Sequence, residues 1–496
     1  MTIESNEIYL LLCFALPLLA MVGAVVIRFP NVRDVFTVLV SMALFANMLQ
    51  ILSIFQAGDT FSYELVQMLP GLHIAFSLEP MGMIFALIVS FLWIVSSVYS
   101  IGYMRGNSES HQSRFYAFFA LSIFAALGIA FSANLLTLFL FYEFLTICTF
   151  PLVTHSGTVE AKRSGRVYLG VLMGTSVMLF LPAIIITYYT TGTLDFTSGG
   201  IFAGKVDDSL AAILLGLYMF GIGKAALMPM HKWLPAAMVA PTPVSALLHA
   251  VAVVKAGVFT IVKVIVYIFG IDYLQDIVSN GFWYGQWLLY ISGFTIMAAS
   301  IVAMRQDNLK KRLAYSTVSQ LSYVTMAAAI LSPLSIIGAV FHIAAHAFGK
   351  ITLFFAAGSI YTSAHKTKVS QLSGIGAKMP WTMAAFTIAA LSMIGVPPMI
   401  GFISKWYMVS GAFDRDSYIA IAVIAVSTLL NAAYFLPIIY KAFFEKEKIS
   451  TGVTMSSNYG EAPVAIVISL MITAIATFLL FIHPGIFLEL AKAVVE

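Results

Sequence analysis

Lys224 places an ammonium in the middle of the apolar run 210–230. A charge at the centre of a bilayer costs about 2.5–3.5 kcal/mol on insertion scales, so membrane proteins keep one there chiefly where ions or protons move. Glu143, Lys255, Lys263, Lys350 and Lys405 interrupt other apolar segments in the same way, and His249, His342 and His346 stand among them. The chemistry these residue types share is reversible proton transfer. Desolvation favours the neutral amine of a lysine and a nearby carboxylate favours its ammonium. A Glu143–Lys224 pair could therefore act as a switch, with Lys224 releasing its proton when the carboxylate moves away. The plain alternative for Glu143 is a protonated carboxyl hydrogen-bonded inside a helix bundle.

His342, His346 and Lys350 recur at i, i+4 and i+8, which puts them on one helical face. A histidine with a pKa near 6.5 both accepts and donates a proton at neutral pH. Two histidines at i and i+4 also suit zinc; the partner carboxylate and the His-Glu-x-x-His pattern are missing, so a relay is expected and no metal. His249 and Lys255 are separated by about 120° on a regular helix and would not share a face. His249 would turn inward only if Pro241 and Pro243 reset the helix; otherwise it reads as a helix–helix hydrogen bond. Lys263, nearer the outer end of its span, could snorkel to the interface and is left out of the relay.

What must position these groups is a membrane bundle. The chain has 496 residues, 60% hydrophobic and 10% charged, with a mean hydropathy of +0.96, more apolar side chain than a soluble protein of this size can hide. Cys13 and Cys148 both lie in apolar spans, which excludes a disulfide framework. The first run, 8–27, follows Glu4 and Glu7 rather than a basic segment and is read as a span, not a leader. At about 20 apolar residues per span, fourteen helices are predicted, near 8–27, 34–56, 79–101, 115–132, 134–154, 167–189, 210–230, 241–268, 282–303, 312–331, 334–360, 382–411, 417–440 and 463–483. With that count, Arg28, Arg33, Arg105, Arg114, Arg163, Lys232, Arg305, Lys310, Lys366, Lys378, Lys446 and Lys448 share one side, while Asp59, Asp195, Asp207, Asp272 and Asp414 share the other. The positive-inside rule then puts both termini outside the cytoplasm. Prolines break two spans, at Pro229 in the seventh and at Pro397-Pro398 in the twelfth. Such breaks survive in lipid only where the freed backbone lines a protein-buried cavity, and a matching pair marks inverted-repeat transporters.

The run Gly223-Lys224-Ala-Ala-Leu-Met-Pro229-Met-His231-Lys-Trp233-Leu-Pro235, continued by Pro241-Thr-Pro243-Val-Ser245 to His249, resembles the signature of the antiporter-like subunits. That superfamily includes Mrp-type sodium/proton antiporter subunits and the proton-pumping membrane subunits of respiratory complex I and membrane-bound hydrogenases. Lys310 to Gln320, His342 to Lys350 and Gly395 to Trp406 fit it too. The resemblance departs at Ala225, Leu227 and Ala236, where many relatives carry polar or acidic residues.

The resemblance implies an all-α polytopic membrane protein, one transmembrane domain over 1–496, with two inverted five-helix repeats (about 115–268 and 282–440) between N-terminal helices (8–101) and a last helix (463–483). It implies proton transfer along Glu143, Lys224, His249, Lys255, His342, His346, Lys350 and Lys405, with Glu143 and Lys224 as the switch and Lys405 as the terminal donor. Lys405 resembles the D-type Mrp subunits and hydrogenase-associated subunits more than the complex I subunit with glutamate there. The expected partners are other membrane subunits, including a second antiporter-like chain, together with H+ and, for an antiporter, Na+. The setting is a bacterial or archaeal cell membrane. No cofactor and no nucleic acid are expected: the chain lacks Gly-rich phosphate loops, cysteine clusters and a haem-attachment motif, so it has no redox chemistry of its own. Three readings stay open: a cation/proton antiporter subunit, the pump of a redox machine, and an energy-coupling partner for another cargo such as inorganic carbon.

Overall fold

The computed structural model describes residues 7–69, 71–447 and 459–496; Glu4 and Lys448 lie outside them. Its spans are α1 (Glu7–Val26), α2 (Pro30–Gln56), α3 (Pro80–Gly106), α4 (Gln112–Ala130), α5 (Leu135–Val153), α6 (Val159–Thr191), α7 (Asp208–Gly221 and the broken segment after it), α8 (Thr242–Phe269), α9 (Trp287–Arg305), α10 (Leu309–Ala329), α11 (Pro333–Ala364), α12 (Pro380–Ile394 and Ile400–Asp414), α13 (Tyr418–Phe444) and α14 (Val464–Ile482). Eleven of them are individually long and apolar enough to cross a bilayer. The other three are those with a reason not to be. α7 and α12 are split into short arms, and α10 opens on Lys310-Lys311-Arg312 and carries a run of serines and threonines.

Contacts sort the connections into two sets, as fourteen crossings require. On one side, bridges join Phe76 to Ser132 and Asn134 to Asp195, Gln275 donates to the Leu331 carbonyl, and Ser332 donates to Asp414. On the other, the basic face, Asn107 donates to Thr362, Asn308 bridges Lys368 and Ser363 donates to the Gly460 carbonyl.

One element departs from the all-helical expectation. β1 (Ser62–Leu69) and β2 (Leu72–Ser77) form an antiparallel hairpin on the acidic side. Its alternating pattern is too short to be told from a loop next to apolar runs of 20 residues.

The breaks fall at the fourth helix of each successive group of five, α4–α8 and α9–α13. α7 stops at Gly221, and Ala226 turns left-handed at φ 56° before the cis Met228–Pro229 bond; α12 stops at Ile394, and Gly395 turns left-handed at φ 91° before the cis Pro397–Pro398 bond. A left-handed residue ends a helix by turning the chain off its axis. The centre of the bundle is α8 and α11, whose apolar windows are 94% and 100% buried. A helix that is apolar all round belongs inside, so polar groups on these two must find partners within the protein.

Candidate functional site

Lys224 sits in the α7 break, in the short 3-10 turn Gly223–Ala225, and is fully buried. The unwound backbone meets α8 at Gly257, where a Cβ would come within 2.3 Å of the Ala225 nitrogen and the Lys224 carbonyl carbon. The ammonium donates to the Tyr142 carbonyl at 2.8 Å and the Thr146 hydroxyl at 2.6 Å, and lies 3.2 Å from the centre of the Tyr142 ring. Both acceptors belong to α5. The next residue on that helix, Glu143, presents two buried carboxylate oxygens that make no hydrogen bond among the described residues. Glu143 and Lys224 are thus within reach of each other's field, without a direct hydrogen bond or ion pair among the described residues. The expected contact is replaced by a cradle of one carbonyl and one hydroxyl, which the spacing of charged residues does not announce.

On α8, the register change comes from a π-turn at Leu247–Val251, with the Ala252 amide reaching back to the Leu247 carbonyl at 2.9 Å. Pro241 and Pro243 only start the helix. The reset expected at the prolines therefore occurs one turn later, for a different reason: one extra residue in the turn. His249 lies in that turn, fully buried, with neither ring nitrogen hydrogen-bonded among the described residues and its ring 4.6 Å from Phe354. Lys255, also buried, meets His346 across the α8–α11 contact, Nζ to Nδ1 at 2.7 Å.

α11 presents His342, His346 and Lys350 along one face, as their spacing predicts, with the two imidazoles 6.0 Å apart. His342 is held on both sides, by Ser404 at 2.8 Å and Gln320 at 3.1 Å. Lys350 donates to Ser316 at 2.6 Å and the Leu313 carbonyl at 3.2 Å, both on α10. Lys405, on the second arm of α12, donates to the Ile394 carbonyl at 2.7 Å, to the Met393 carbonyl and to Thr428 on α13. The carbonyls it takes are those freed by the α12 break, in keeping with irregular backbone at membrane depth facing a polar partner. Lys255, Lys350 and Lys405 are all electrostatic neighbours of His342. The structure therefore brings Lys255, His342, His346, Lys350 and Lys405 into one cluster, with His249 beside it and Glu143 and Lys224 at the α7 break.

Lys263 does not snorkel. It is fully buried and paired with Glu79 at 2.8 Å, it donates to the Ser132 carbonyl, and it lies 3.8 Å from the Phe196 ring centre. The missed partner, Glu79, opens α3 just after the hairpin. Ser132 and the Phe196 ring close around the ammonium, which is fully buried while Glu79 remains partly exposed. The other missed groups, Tyr142, Thr146, Gln320, Ser316, Ser404 and Thr428, share a weak signal: hydroxyl or amide side chains inside apolar helices.

A family model described as NADH:quinone oxidoreductase/Mrp antiporter, TM, matches residues 132–431, more than half of the chain. A NADH-quinone oxidoreductase subunit N from Desulforudis audaxviator (strain MP104C) is 32% identical over 392 residues, covering 78% of this chain and 76% of that protein. A NADH-quinone oxidoreductase subunit L from Rickettsia typhi (strain ATCC VR-144 / Wilmington) is 31% identical over 384 residues, covering 76% of this chain and 56% of that protein; the chain spans little more than half the length of such L subunits. Among solved structures, a chain of the Mrp complex from Dietzia sp. DQ12-45-1b superposes with a TM-score of 0.84 at 20% identity, covering 99% of this chain and 97% of that one. A chain of the membrane-bound sulfane sulfur reductase, an archaeal respiratory membrane complex, gives 0.85 at 22%, covering 99% and 98%. At those identities the likeness is one of fold. Taken with the broken helices and their buried lysines, the chain belongs to the NADH:quinone oxidoreductase/Mrp antiporter membrane family, the antiporter-like subunits.

Proposed function

We propose that this chain is the proton-translocating subunit of a multisubunit monovalent cation/proton antiporter, of the D type found in Mrp complexes, set in a bacterial or archaeal plasma membrane with both termini outside. The observation that carries the reading is the Lys255–His346 contact inside a cluster that also holds His342, Lys350 and Lys405. Groups that exchange protons stand there within hydrogen-bond reach in the most buried part of the bundle. Lys255 hands a proton to His346 Nδ1, His342 and Lys350 extend the row, and Lys405 passes it to the outside through the α12 break. Glu143 and Lys224 gate the transfer. With its ammonium on Tyr142 and Thr146 the lysine is held off the carboxylate; swinging back to Glu143 favours the charged form and stops release. His249 and the open edge of His346, which find no partner among the described residues, are where water would complete the path.

Moving one charge against 100 mV requires about 2.3 kcal/mol, so an opposing ion gradient must drive the step, with Na+ crossing at an interface with another subunit. A second reading is favoured by the names of the relatives: the same path could be the pump of a redox-driven complex. Gentle extraction from native membranes and mass spectrometry of what co-purifies separates the two. Small hydrophobic subunits and a second antiporter-like chain, without metal-centre proteins, support the antiporter. Stoichiometric iron–sulfur or nickel–iron subunits would replace it with redox-driven pumping.

A further inference from the structure

At the basic face a cavity of about 320 Å3 opens between the α3–α4 loop, the α7–α8 connection, the start of α10 and the end of α11. At roughly 30 Å3 per water molecule, it has room for several. Among the described residues Glu109 is the one carboxylate lining it, and Lys310, which also lines it, acts on that carboxylate electrostatically. The Lys310 ammonium is fixed on the Ala240 carbonyl at 2.5 Å, so it braces the backbone that leads into α8. Burial pushes the Glu109 carboxyl up, against the opposing pull of Lys310, a combination suited to taking up a proton.

Polar and tightly packed groups bound the cavity on the side of α3 and α8. Tyr103 and Thr242 line it and share a hydrogen bond of 3.4 Å. α3, the start of α8 and α11 are pressed together there: a Cβ on Gly358 would meet the Tyr99 hydroxyl at 2.0 Å and Thr242 at 2.8 Å. Along α11 the cavity residues Tyr361 and Ala357 are followed, at helical spacing on the same face, by Phe354 and then Lys350. Phe354 is fully buried, and its ring lies against His249. The cavity and the buried cluster therefore share one face of one helix, with Phe354 between them on that face. Apolar constrictions of this kind gate by excluding water.

We propose that this cavity is the water-filled vestibule that feeds the buried row, that Glu109 is its proton-collecting carboxylate, and that the Phe354 ring is the dry seal between the vestibule and His249 and Lys350. The inference rests on the proton-transfer reading given above. A proton arriving from the basic side binds a Glu109 oxygen, crosses the cavity by way of water and the Thr242 hydroxyl, and halts at Phe354. When the ring swings aside, water joins the two compartments and His249 accepts the proton.

The test uses the intact complex in oriented native membrane vesicles, in a background with Cys13→Ala and Cys148→Ala. Single cysteines replace Ala357, in the cavity, and Ala347, deeper on the same helix and next to His346 in the chain. A charged, membrane-impermeant thiosulfonate should modify Ala357→Cys from the basic side alone and leave Ala347→Cys untouched. Adding Phe354→Ala should speed modification of Ala347→Cys at least tenfold and let protons leak through resting vesicles; Phe354→Leu, which keeps apolar bulk, should do neither. Glu109→Gln should slow proton uptake several-fold with the labelling of Ala357→Cys unchanged. An unreactive Ala357→Cys, an Ala347→Cys that reacts equally with Phe354 in place, or full uptake in Glu109→Gln would overturn the proposal. Labelling reads water and not transport, so a complex that moves no protons would sink the transport reading alone.

Discussion

The two broken helices hold their lysines by different means. Lys224, in the α7 break, reaches to another helix and takes a carbonyl and a hydroxyl from α5. Lys405, after the α12 break, turns back onto its own helix and takes the carbonyls that the break set free. The larger difference is charge. Beside Lys224 stands Glu143, whereas the carboxylates of the second half, Asp307, Asp414 and Asp416, lie in its loops or at the end of α12. Lys350 repeats the cradle of Lys224, one hydroxyl and one carbonyl on the neighbouring helix, without the acid. A buried cation with a movable counter-charge can be switched; a row without one can only pass on what it receives. On the proton-transfer reading proposed above, the first half decides and the second conducts.

That contrast can be broken most directly at its acid. Glu143→Gln and Lys224→Ala should each lower proton transport by about 10²-fold or more, the scale of losing a positioned proton-transfer group, with the complex still assembled by native gel. Ala314→Glu, at the position that follows Leu313 on α10 as Glu143 follows Tyr142 on α5, should trap the proton at Lys350 and slow transport about tenfold. Unchanged transport in that variant would mean that a fixed carboxylate is not what separates the halves. The buried Lys263–Glu79 pair gives the next effect. Lys263→Met or Glu79→Gln alone should destabilise the protein by about 3 kcal/mol, whereas the double variant should recover much of that loss, because an uncompensated buried charge costs more than no pair; thermal unfolding in detergent reads the difference. The smallest effect is at the basic face of the second half. There Glu447 pairs with Lys366 and Lys378, and hydrogen bonds from Lys378, Tyr459 and Lys366 hold its carboxyl down at about 2. Because the folded-state value lies below the ordinary carboxylate value, the pairing contributes fully above about pH 4.5 and fades as pH falls toward 2. Hydrogen-exchange protection of residues 366–378 should be flat from pH 8 to 5, decline below that, and lose its pH dependence in Glu447→Gln.

Much of this was legible from residue type alone. Lysines in apolar runs, the sidedness of arginine and aspartate, and proline in mid-span are strong signals because the bilayer makes each of them costly. The one-face arrangement of His342, His346 and Lys350 followed from spacing on a regular helix. What spacing could not supply were events that alter the helix itself or lie far off in the chain. The π-turn around His249 changes the angle on which the 120° estimate rested. Glu79 reaches Lys263 across 184 positions of sequence, through a hairpin too short to announce itself. The cradles of Lys224 and Lys405 are largely backbone carbonyls, which every residue carries and no sequence marks.

The π-turn at Leu247–Val251 has a consequence for how relatives should be compared. A π-turn holds one residue more than the α-turn it replaces, so within it the chain carries a single insertion that no loop absorbs. A relative with a straight helix here would need a one-position gap inside a transmembrane segment, where alignments are usually kept gapless, and without it His249 and Lys255 could not both be matched to their counterparts. Removing one residue, such as Val251, is accordingly a different perturbation from any substitution. It would remove no candidate proton-transfer side chain and would let the segment close into a regular α-turn, with the two flanks of α8 keeping their faces.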